Sequence, residues 1–246
     1  MAYYSKLEDS LRFIWKSAIM VAMKDKTLIF GAIFDLDGVI VSTDKYHRQA
    51  WQRLADELGI PFTEAQAQAT RGVDRMASLA VVLGEHASKF TDAQKAELAD
   101  RKNKVYKELI RQITPADTLP GVGTLLPALK ARGIPLAIGS ASKNAKPVLE
   151  SLGIAGIFNA IVTGYDFVHG KPAPDVFLVA AERLGLPPAR CVVFEDAAAG
   201  IQAAHAGGMK AVGVGDPDIV KGCDRFTKTL ADIAVEPGED LFDSDR

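Results

Sequence analysis

Five short runs of almost continuous apolar residues stand out along the chain. Unlike amphipathic segments, they show no alternation of polar and apolar positions, which is typical of parallel strands buried on both faces. Helix-length segments at residues 121–132, 143–152, 173–185 and 197–206 separate the later runs. This alternation predicts an α/β fold with a doubly wound, Rossmann-like parallel sheet. The five runs are residues 28–34, 134–139, 160–164, 191–195 and 211–215.

The spacing of the runs is uneven, because about a hundred residues separate the first from the second. A single crossover between parallel strands needs far fewer. The stretch 43–117 has helical periodicity at residues 46–58, 63–69, 74–84 and 92–112 and no convincing strand. We therefore predict an all-helical insert at 43–117, with residues 28–42 and 118–246 forming the α/β core. Ligands bind at the carboxyl ends of parallel strands, so an insert there is placed to cover the site.

Residues 1–27 precede the first predicted strand, and we interpret them as an N-terminal extension. Apolar positions recur at helical spacing from Leu7 to Ile19, which fits a short amphipathic helix. The run 13–23 is too short to span a bilayer, contains Lys16 and resembles a signal peptide only weakly. A helix packed on the domain and a non-native extension both remain open, as does a true start at Met20 or Met23.

Composition narrows the class of protein. The 246 residues are 48% hydrophobic and 24% charged, which excludes a disordered, collagen-like or membrane-spanning chain. The net charge of −2 gives no reason to expect nucleic acid or a membrane as a partner. Two cysteines, Cys191 and Cys223, favour neither a disulfide framework nor a thiolate metal site. We expect a cytoplasmic protein that is a monomer.

Two carboxylates follow the first predicted strand. Asp35 and Asp37 are two positions apart, so their side chains can point the same way, and Gly38 allows the backbone to turn close to a ligand. Two such carboxylates repel each other unless a cation lies between them or one is protonated. The pattern suits a Mg²⁺-assisted reaction in which one carboxylate attacks and the other moves a proton. A polar turn after a strand is the alternative for a lone pair of this kind.

Polar groups also follow three other predicted strands. Ser140 precedes a helix, where a hydroxyl and free N–H groups can bind an anion, although an N-cap serine is the simpler interpretation. Lys171 precedes Pro172, which stiffens the loop and is expected to present the lysine rather than bury it; a solvated loop lysine is the alternative. Glu195 and Asp196 end a strand and could join a hard cation, or could act as helix caps. Four such coincidences at one face favour a functional site.

The series DLDGV, SAS, GKPAPD and FEDAAAGI resembles the haloacid dehalogenase superfamily of aspartate-nucleophile phosphotransferases over roughly residues 28–220. The segments FDLDGVIVSTDKYHRQAW, RGVDR, ADRKN and LPGVGTLLPALKARGIPLAIGSASKNA are similar, more closely, to its β-phosphoglucomutase family. The chain departs from that pattern at Ser42, where an acidic residue is usual, and at Asp74, where Ser is frequent.

The resemblance implies a role for each core residue. Asp35 would be the nucleophile that takes up the phosphoryl group, and Asp37 the general acid/base for the sugar hydroxyl. Ser140 and Lys171 would bind the transferring phosphoryl group. The Mg²⁺ cofactor would be held by Asp35, the backbone carbonyl of Asp37, Glu195 and Asp196.

The resemblance also assigns the sugar and its second phosphate to residues of the insert. Arg75 suits this task because a guanidinium binds phosphate through two hydrogen bonds. Three alternatives stand beside these roles: Trp51 as core packing, His47 as a contact between insert and core, and Lys102 as a solvated helix position. The substrate-binding set is Thr43, His47, Trp51, Arg71, Gly72, Val73, Arg75, Ser78 and Lys102 on the insert, with Ala141 and Asn144 on the core.

The activity implied is a phosphomutase that interconverts β-D-glucose 1-phosphate and D-glucose 6-phosphate. It would pass through an aspartyl-phosphate enzyme and β-glucose 1,6-bisphosphate, with small-molecule sugar phosphates as the partners. One alternative is a sugar-phosphate phosphatase that uses the same nucleophile and water. Another is a non-catalytic sugar-phosphate sensor, against which the pair Asp35 and Asp37 argues, because sensing needs neither a nucleophile nor an acid.

Overall fold

The computed structural model describes residues 31–70 and 73–235. Its six strands form a single parallel sheet in the order β3-β2-β1-β4-β5-β6. The prediction of a doubly wound α/β fold is thereby confirmed. The strands are β1 (Gly31–Phe34), β2 (Leu136–Gly139), β3 (Ala160–Val162), β4 (Cys191–Glu195), β5 (Lys210–Val214) and β6 (Arg225–Thr227).

Helices cover both faces of this sheet, which explains the unbroken apolar character of the strands. Ile33 and Phe34 are neighbours on β1, yet they belong to two different hydrophobic clusters, and so do Val192 and Val193 on β4. Both faces of these two central strands therefore meet an apolar layer. The helices are α1 (Asp44–Leu58), α2 (Glu64–Ala69), α3 (Arg75–Leu83), α4 (Asp92–Leu109), α5 (Val122–Ala131), α6 (Ala145–Ser151), α7 (Asp175–Leu184) and α8 (Ala198–Ala206).

The described residues between 43 and 117 form helices α1–α4 and short 3₁₀ turns, with no strand among them. They have a hydrophobic cluster of their own, in which Trp51 packs with Leu79 and Leu98. The chain enters and leaves this region at one place, because Val41 bridges Thr118 and the Leu119 N–H donates to the Ile40 carbonyl at 2.9 Å. The two ends of the segment 43–117, which we call the insert, therefore lie side by side.

Several predicted boundaries differ from the structure. Strand β6 was not predicted, because its three residues, RFT, are too few and too polar to give an apolar run. The helix predicted over 92–112 ends at Leu109 and continues as a 3₁₀ turn. The extension 1–27 and residues 28–30 of the first predicted strand lie outside the described residues. Of the helices that the structure describes, none combines the length and the apolar character needed to cross a membrane.

Candidate active site

Buried charges converge where β1 and β4 end. Asp35 follows β1, and its N–H donates to the Phe194 carbonyl of β4 at 2.9 Å, which sets it beside Glu195. Both carboxylates are buried. The Lys171 ammonium lies 2.5 Å from Asp35 Oδ1 and 2.5 Å from Glu195 Oε1. The carboxyl edge of the sheet therefore holds an ionic cluster of Asp35, Lys171 and Glu195.

Lys171 is not presented to solvent, and that prediction is wrong. Its side chain is 4% exposed, since two carboxylates compensate the cost of burying the ammonium. Burial lowers the pKa of Lys171, but the attraction of Asp35 and Glu195 outweighs burial and raises that pKa above its usual value. Lys171 thus remains a cation, and the solvated-loop alternative is excluded.

The cluster carries more negative than positive charge. Burial raises the pKa of Asp35 well above its usual value, and repulsion by Glu195 and Asp196 adds to this, while Lys171 opposes it. Asp35, Glu195 and Asp196 provide hard oxygen donors whose combined negative charge exceeds the charge of Lys171, which fits Mg²⁺. Within residues 31–70 and 73–235, no three His, Cys, Asp or Glu side chains are arranged as a complete metal site. The Lys171 ammonium instead lies between two of the donors.

Two glycines make room for these acidic side chains. Gly38 has φ +89°, and a Cβ there would lie 1.9 Å from Asp196 Oδ2. At Gly200 in α8, a Cβ would lie 1.9 Å from Glu195 Oε1. Glu195 also accepts a hydrogen bond from the Ala197 N–H at 2.9 Å, besides pairing with Lys171. Ala197 is the N-cap residue of α8, and no side chain caps that helix, so the helix-cap interpretation of Glu195 is wrong.

Ser140 is buried where β2 ends, but it is not a helix N-cap. Helix α6 begins at Ala145 and its N-cap residue is Asn144. The Ser140 hydroxyl accepts from the Ser142 N–H at 3.1 Å, and the Ser142 hydroxyl accepts from the Asn144 N–H at 3.2 Å. These bonds fold the 140–144 loop, with half-buried Ala141 inside it, against the end of the sheet.

Asp37 is joined to the insert by a short chain of hydrogen bonds. The Thr43 hydroxyl donates to Asp37 Oδ1, and the Tyr106 hydroxyl donates to Thr43 Oγ1 at 3.2 Å. Burial raises the pKa of Asp37, while the Thr43 hydrogen bonds act in the opposite direction. A carboxyl with a raised pKa is suited to giving and taking a proton.

A second cation is buried in the insert. The Lys102 side chain contacts His47 Nδ1 at 2.8 Å and lies 4.5 Å from the ring centroid of Trp51. Because Lys102 is only 4% exposed, the solvated-position alternative is wrong. Burial, and then repulsion by Arg75, lower the pKa of Lys102 to about 7. Burial, and then Lys102 and Arg75, lower the pKa of His47 well below its usual value, so His47 is neutral and accepts from the ammonium.

Trp51 serves two purposes. It belongs to the hydrophobic cluster of the insert, which confirms the core-packing interpretation, and its ring also faces the Lys102 ammonium. Arg75 lies near Lys102 and pairs with Asp100 at 3.5 Å. Among the other substrate-binding candidates on the insert, Ser78 donates to the Thr70 carbonyl at 3.4 Å and Val73 is half-buried. Arg71 and Gly72 lie outside the described residues.

Asn144 joins the core to the insert, since its Nδ2 donates to Asn103 Oδ1 on α4 at 2.9 Å. Neither Asn103 nor Tyr106 was predicted as a site residue. Tyr106 could have been found, because it follows Lys102 by four positions and so shares its helix face. Asn103 gave no comparable signal, because its partner is forty-one residues away.

Comparison with known proteins agrees with this geometry. A family model for haloacid dehalogenase-like hydrolases matches residues 31–208. The chain is 43% identical over 206 residues to a β-phosphoglucomutase of Bacillus subtilis (strain 168), covering 83% of this chain and 91% of that protein. It is 36% identical over 186 residues to the fructose-1-phosphate phosphatase YqaB of Escherichia coli (strain K12), covering 75% and 95%.

A solved structure shows the same relationship in three dimensions. The crystal structure of a β-phosphoglucomutase from Clostridium difficile superposes with a TM-score of 0.81 at 37% identity, covering 84% of this chain and 94% of that one. Sequence motifs, sheet order and overall superposition therefore agree. The chain belongs to the haloacid dehalogenase-like hydrolase family.

Proposed function

We propose that the protein is a Mg²⁺-dependent phosphomutase of the cytoplasm that interconverts β-D-glucose 1-phosphate and D-glucose 6-phosphate. Its similarity to β-phosphoglucomutases in sequence and structure supports this. So does the geometry, in which the candidate nucleophile Asp35 is paired with Lys171 and the candidate acid/base Asp37 is bonded to Thr43.

One observation carries the choice of a mutase: the insert holds a second centre of positive charge. Lys102 and Arg75 are close enough to lower the pKa of Lys102 by repulsion, and the polar partner of Lys102 is neutral His47 rather than a carboxylate. A phosphomutase must hold a bisphosphate, so it needs an anion site apart from the reacting one. A phosphatase acting on a monophosphate needs only the reacting site.

The reaction follows from the core residues. A carboxylate oxygen of Asp35 attacks the phosphorus of one phosphate of the bisphosphate, and the bond from phosphorus to the sugar oxygen breaks. Asp37 gives its proton to that leaving oxygen, and takes a proton from the attacking sugar hydroxyl when the phosphoryl group returns. Lys171 and Ser140 stabilise the charge of the transferring group. Bound Mg²⁺, on Asp35, the Asp37 carbonyl, Glu195 and Asp196, would neutralise charge on that phosphoryl group.

The insert, residues 43–117, is proposed to act as a cap over core segments 28–42 and 118–246. Its contact through Asn103 and Asn144 joins the two parts beside the site. Closing a cap over a sugar phosphate excludes competing water and orients the sugar hydroxyl. The proposed contacts to the sugar and second phosphate are Thr43, His47, Trp51, Arg71, Gly72, Val73, Arg75, Ser78 and Lys102, with Ala141 and Asn144 from the core.

A sugar-phosphate phosphatase is the second candidate. The 36% identity to a fructose-1-phosphate phosphatase over 75% of this chain favours it. The same nucleophile would serve, with water in place of the sugar hydroxyl as the acceptor.

One assay distinguishes the phosphomutase from the sugar-phosphate phosphatase. Purified protein with Mg²⁺ and β-glucose 1-phosphate, primed with a trace of β-glucose 1,6-bisphosphate, should form glucose 6-phosphate in large excess over free phosphate. Removal of Mg²⁺ by a chelator should stop the reaction, and returning Mg²⁺ should restore it. Free phosphate without glucose 6-phosphate would reject the mutase in favour of the phosphatase.

Arg75→Ala should damage mutase turnover far more than it damages hydrolysis of the phosphoenzyme. Arg75 lies on the insert and should hold the non-reacting phosphate, and losing such a charge-assisted contact costs about 1.5–3 kcal/mol, roughly ten- to a hundredfold. Water has no phosphate to hold. Arg48→Ala is the matched control, because Arg48 is an exposed arginine on the insert paired with Glu64. Equal losses in both reactions would assign Arg75 to the fold or the core site.

The KM for the sugar phosphate should rise as the pH increases through about 7. The pKa of Lys102 is lowered to about 7, so the ammonium that attracts the anion is progressively lost above that pH. Lys102→Met should have a high KM with no such rise, whereas Lys104→Met, an exposed neighbour on α4, should keep the parental profile. If the KM of Lys102→Met rose with pH by the same factor, the titration would belong to another group.

A further inference from the structure

Tyr106 occupies a position that none of the roles above explains. It is a buried residue of helix α4 in the insert, 1% exposed. Its hydroxyl donates to Thr43 Oγ1 at 3.2 Å, and Thr43 in turn donates to Asp37 Oδ1. A hydrogen-bond chain thus runs from the insert to the carboxyl that is proposed to move the proton.

The ring of Tyr106 is held in place by contacts to two further side chains. The imidazole of His47 lies against it with ring centroids 4.1 Å apart, and the Lys102 ammonium is 4.8 Å from its centroid. Burial, reinforced by the charge of Asp37, raises the pKa of Tyr106 above its usual value, so the hydroxyl keeps its proton. The phenol is therefore a fixed donor, and its proton is available to Thr43.

We infer that Tyr106 is a positioning residue for phosphoryl transfer, which fixes the Thr43 hydroxyl and through it the orientation of the Asp37 carboxyl. The inference rests on the proposed role of Asp37. In a chain of this kind each hydrogen bond polarises the next, so removing the outer donor weakens and loosens the inner one. Thr43 without Tyr106 would be free to rotate its hydroxyl away from Asp37. Tyr106 itself need not touch the substrate.

Tyr106→Phe tests this, because it removes the hydroxyl and keeps the ring that contacts His47 and Lys102. General acid/base groups supply about 10²–10⁴ in rate, so misorienting one should lower kcat about tenfold while KM stays within about twofold. Tyr46→Phe is the matched control: Tyr46 is a buried tyrosine of the same hydrophobic cluster, and its variant should keep the parental kcat. Cooperative thermal unfolding of both variants would show that they are folded.

A double-mutant cycle separates positioning from a general structural role. Thr43→Val removes the hydroxyl through which Tyr106 is proposed to act, at nearly constant shape. If Tyr106 acts through Thr43, then Tyr106→Phe should lower kcat no further in the Thr43→Val background. A parental kcat in Tyr106→Phe would overturn the inference. So would a double variant in which the loss of kcat equals the product of the losses in the two single variants.

The same measurements distinguish this inference from the proposed function. A parental protein that releases phosphate but forms no glucose 6-phosphate contradicts the mutase; the cycle is then measured on phosphate release, which also needs Asp37. A parental mutase whose rate Tyr106→Phe leaves unchanged contradicts the inference alone. A parental protein that forms no glucose 6-phosphate and releases no phosphate contradicts both the proposed function and the inference.

Discussion

Asp35→Asn should abolish phosphoryl transfer and leave the protein folded. An amide has nearly the shape of the carboxylate, but it is neither a nucleophile for phosphorus nor an anionic ligand for Mg²⁺. In the proposed covalent mechanism the loss should be at least about a thousandfold, as when other catalytic nucleophiles are removed. Circular dichroism should be parental, because the substitution also removes one charge from a cluster in which carboxylates are in excess.

The measurement that checks this is acid quench after mixing with radiolabelled bisphosphate. The parental enzyme should carry covalently bound label, and Asp35→Asn should carry none. Asp216→Asn is a suitable control, because Asp216 also follows a strand, β5, but is exposed. A folded Asp35→Asn protein with near-parental turnover would reject the covalent mechanism.

The sheet could be predicted from sequence because each central strand is covered on both faces. Residues such as Ile33 and Phe34 meet apolar layers on opposite faces, so the whole run is apolar and easy to recognise. Strand β6 lies at the edge of the sheet, and its residue Phe226 is exposed. Because the strand is less buried, it has no run of apolar residues by which it could be recognised. The other edge strand, β3, lies within the predicted run 160–164, so among the described strands the failure of periodicity is confined to β6.

The core of the site was predictable for a related reason. Parallel strands bring their carboxyl ends to one edge, so Asp35 and Glu195 meet although 160 residues of sequence separate them, as the β1–β4 register shows. Local spacing could not predict the burial of Lys171, because its partners Asp35 and Glu195 lie at the ends of strands β1 and β4, far from it in sequence. It could not predict the pair Asn103 and Asn144 either, which depends on how the insert rests on the core.

Lys171→Met should have the largest combined effect on stability and activity. Removing one partner of a buried ionic cluster typically destabilises a protein by about 3–5 kcal/mol, because the remaining charges are left uncompensated. Asp35 and Glu195 would then face each other without the ammonium that each contacts at 2.5 Å. Turnover should also fall by about 10²–10³, the usual loss when a group that stabilises transition-state charge is removed. Lys221→Met, at an exposed lysine paired with Asp218, should change neither.

The destabilisation of Lys171→Met should shrink as the pH falls. Burial, Glu195 and Asp196 already raise the pKa of Asp35, and loss of Lys171 removes the attraction that opposes them. A carboxyl whose pKa is higher in the folded state binds more protons there, so folding is favoured at low pH and disfavoured as the pH rises. Urea denaturation should therefore show a smaller difference from the parent at pH 5 than at pH 8. A constant difference would assign the loss to packing rather than charge.

Combining Lys171→Met with Asp35→Asn tests whether the loss of stability in Lys171→Met is electrostatic. In the Lys171→Met background, Asp35→Asn removes one of the uncompensated carboxylates without opening a cavity, so the free energy of unfolding at pH 8 should partly recover. Activity should not recover, because the nucleophile is gone. Stability and activity should move in opposite directions only if Lys171 compensates the negative charge that Asp35 needs for attack. Active-site carboxylates of this kind are kept for function at a cost to the stability of the fold. A double variant less stable than Lys171→Met would show that Asp35 supports the fold by its own hydrogen bonds, and that charge repulsion in the cluster is not the dominant cost.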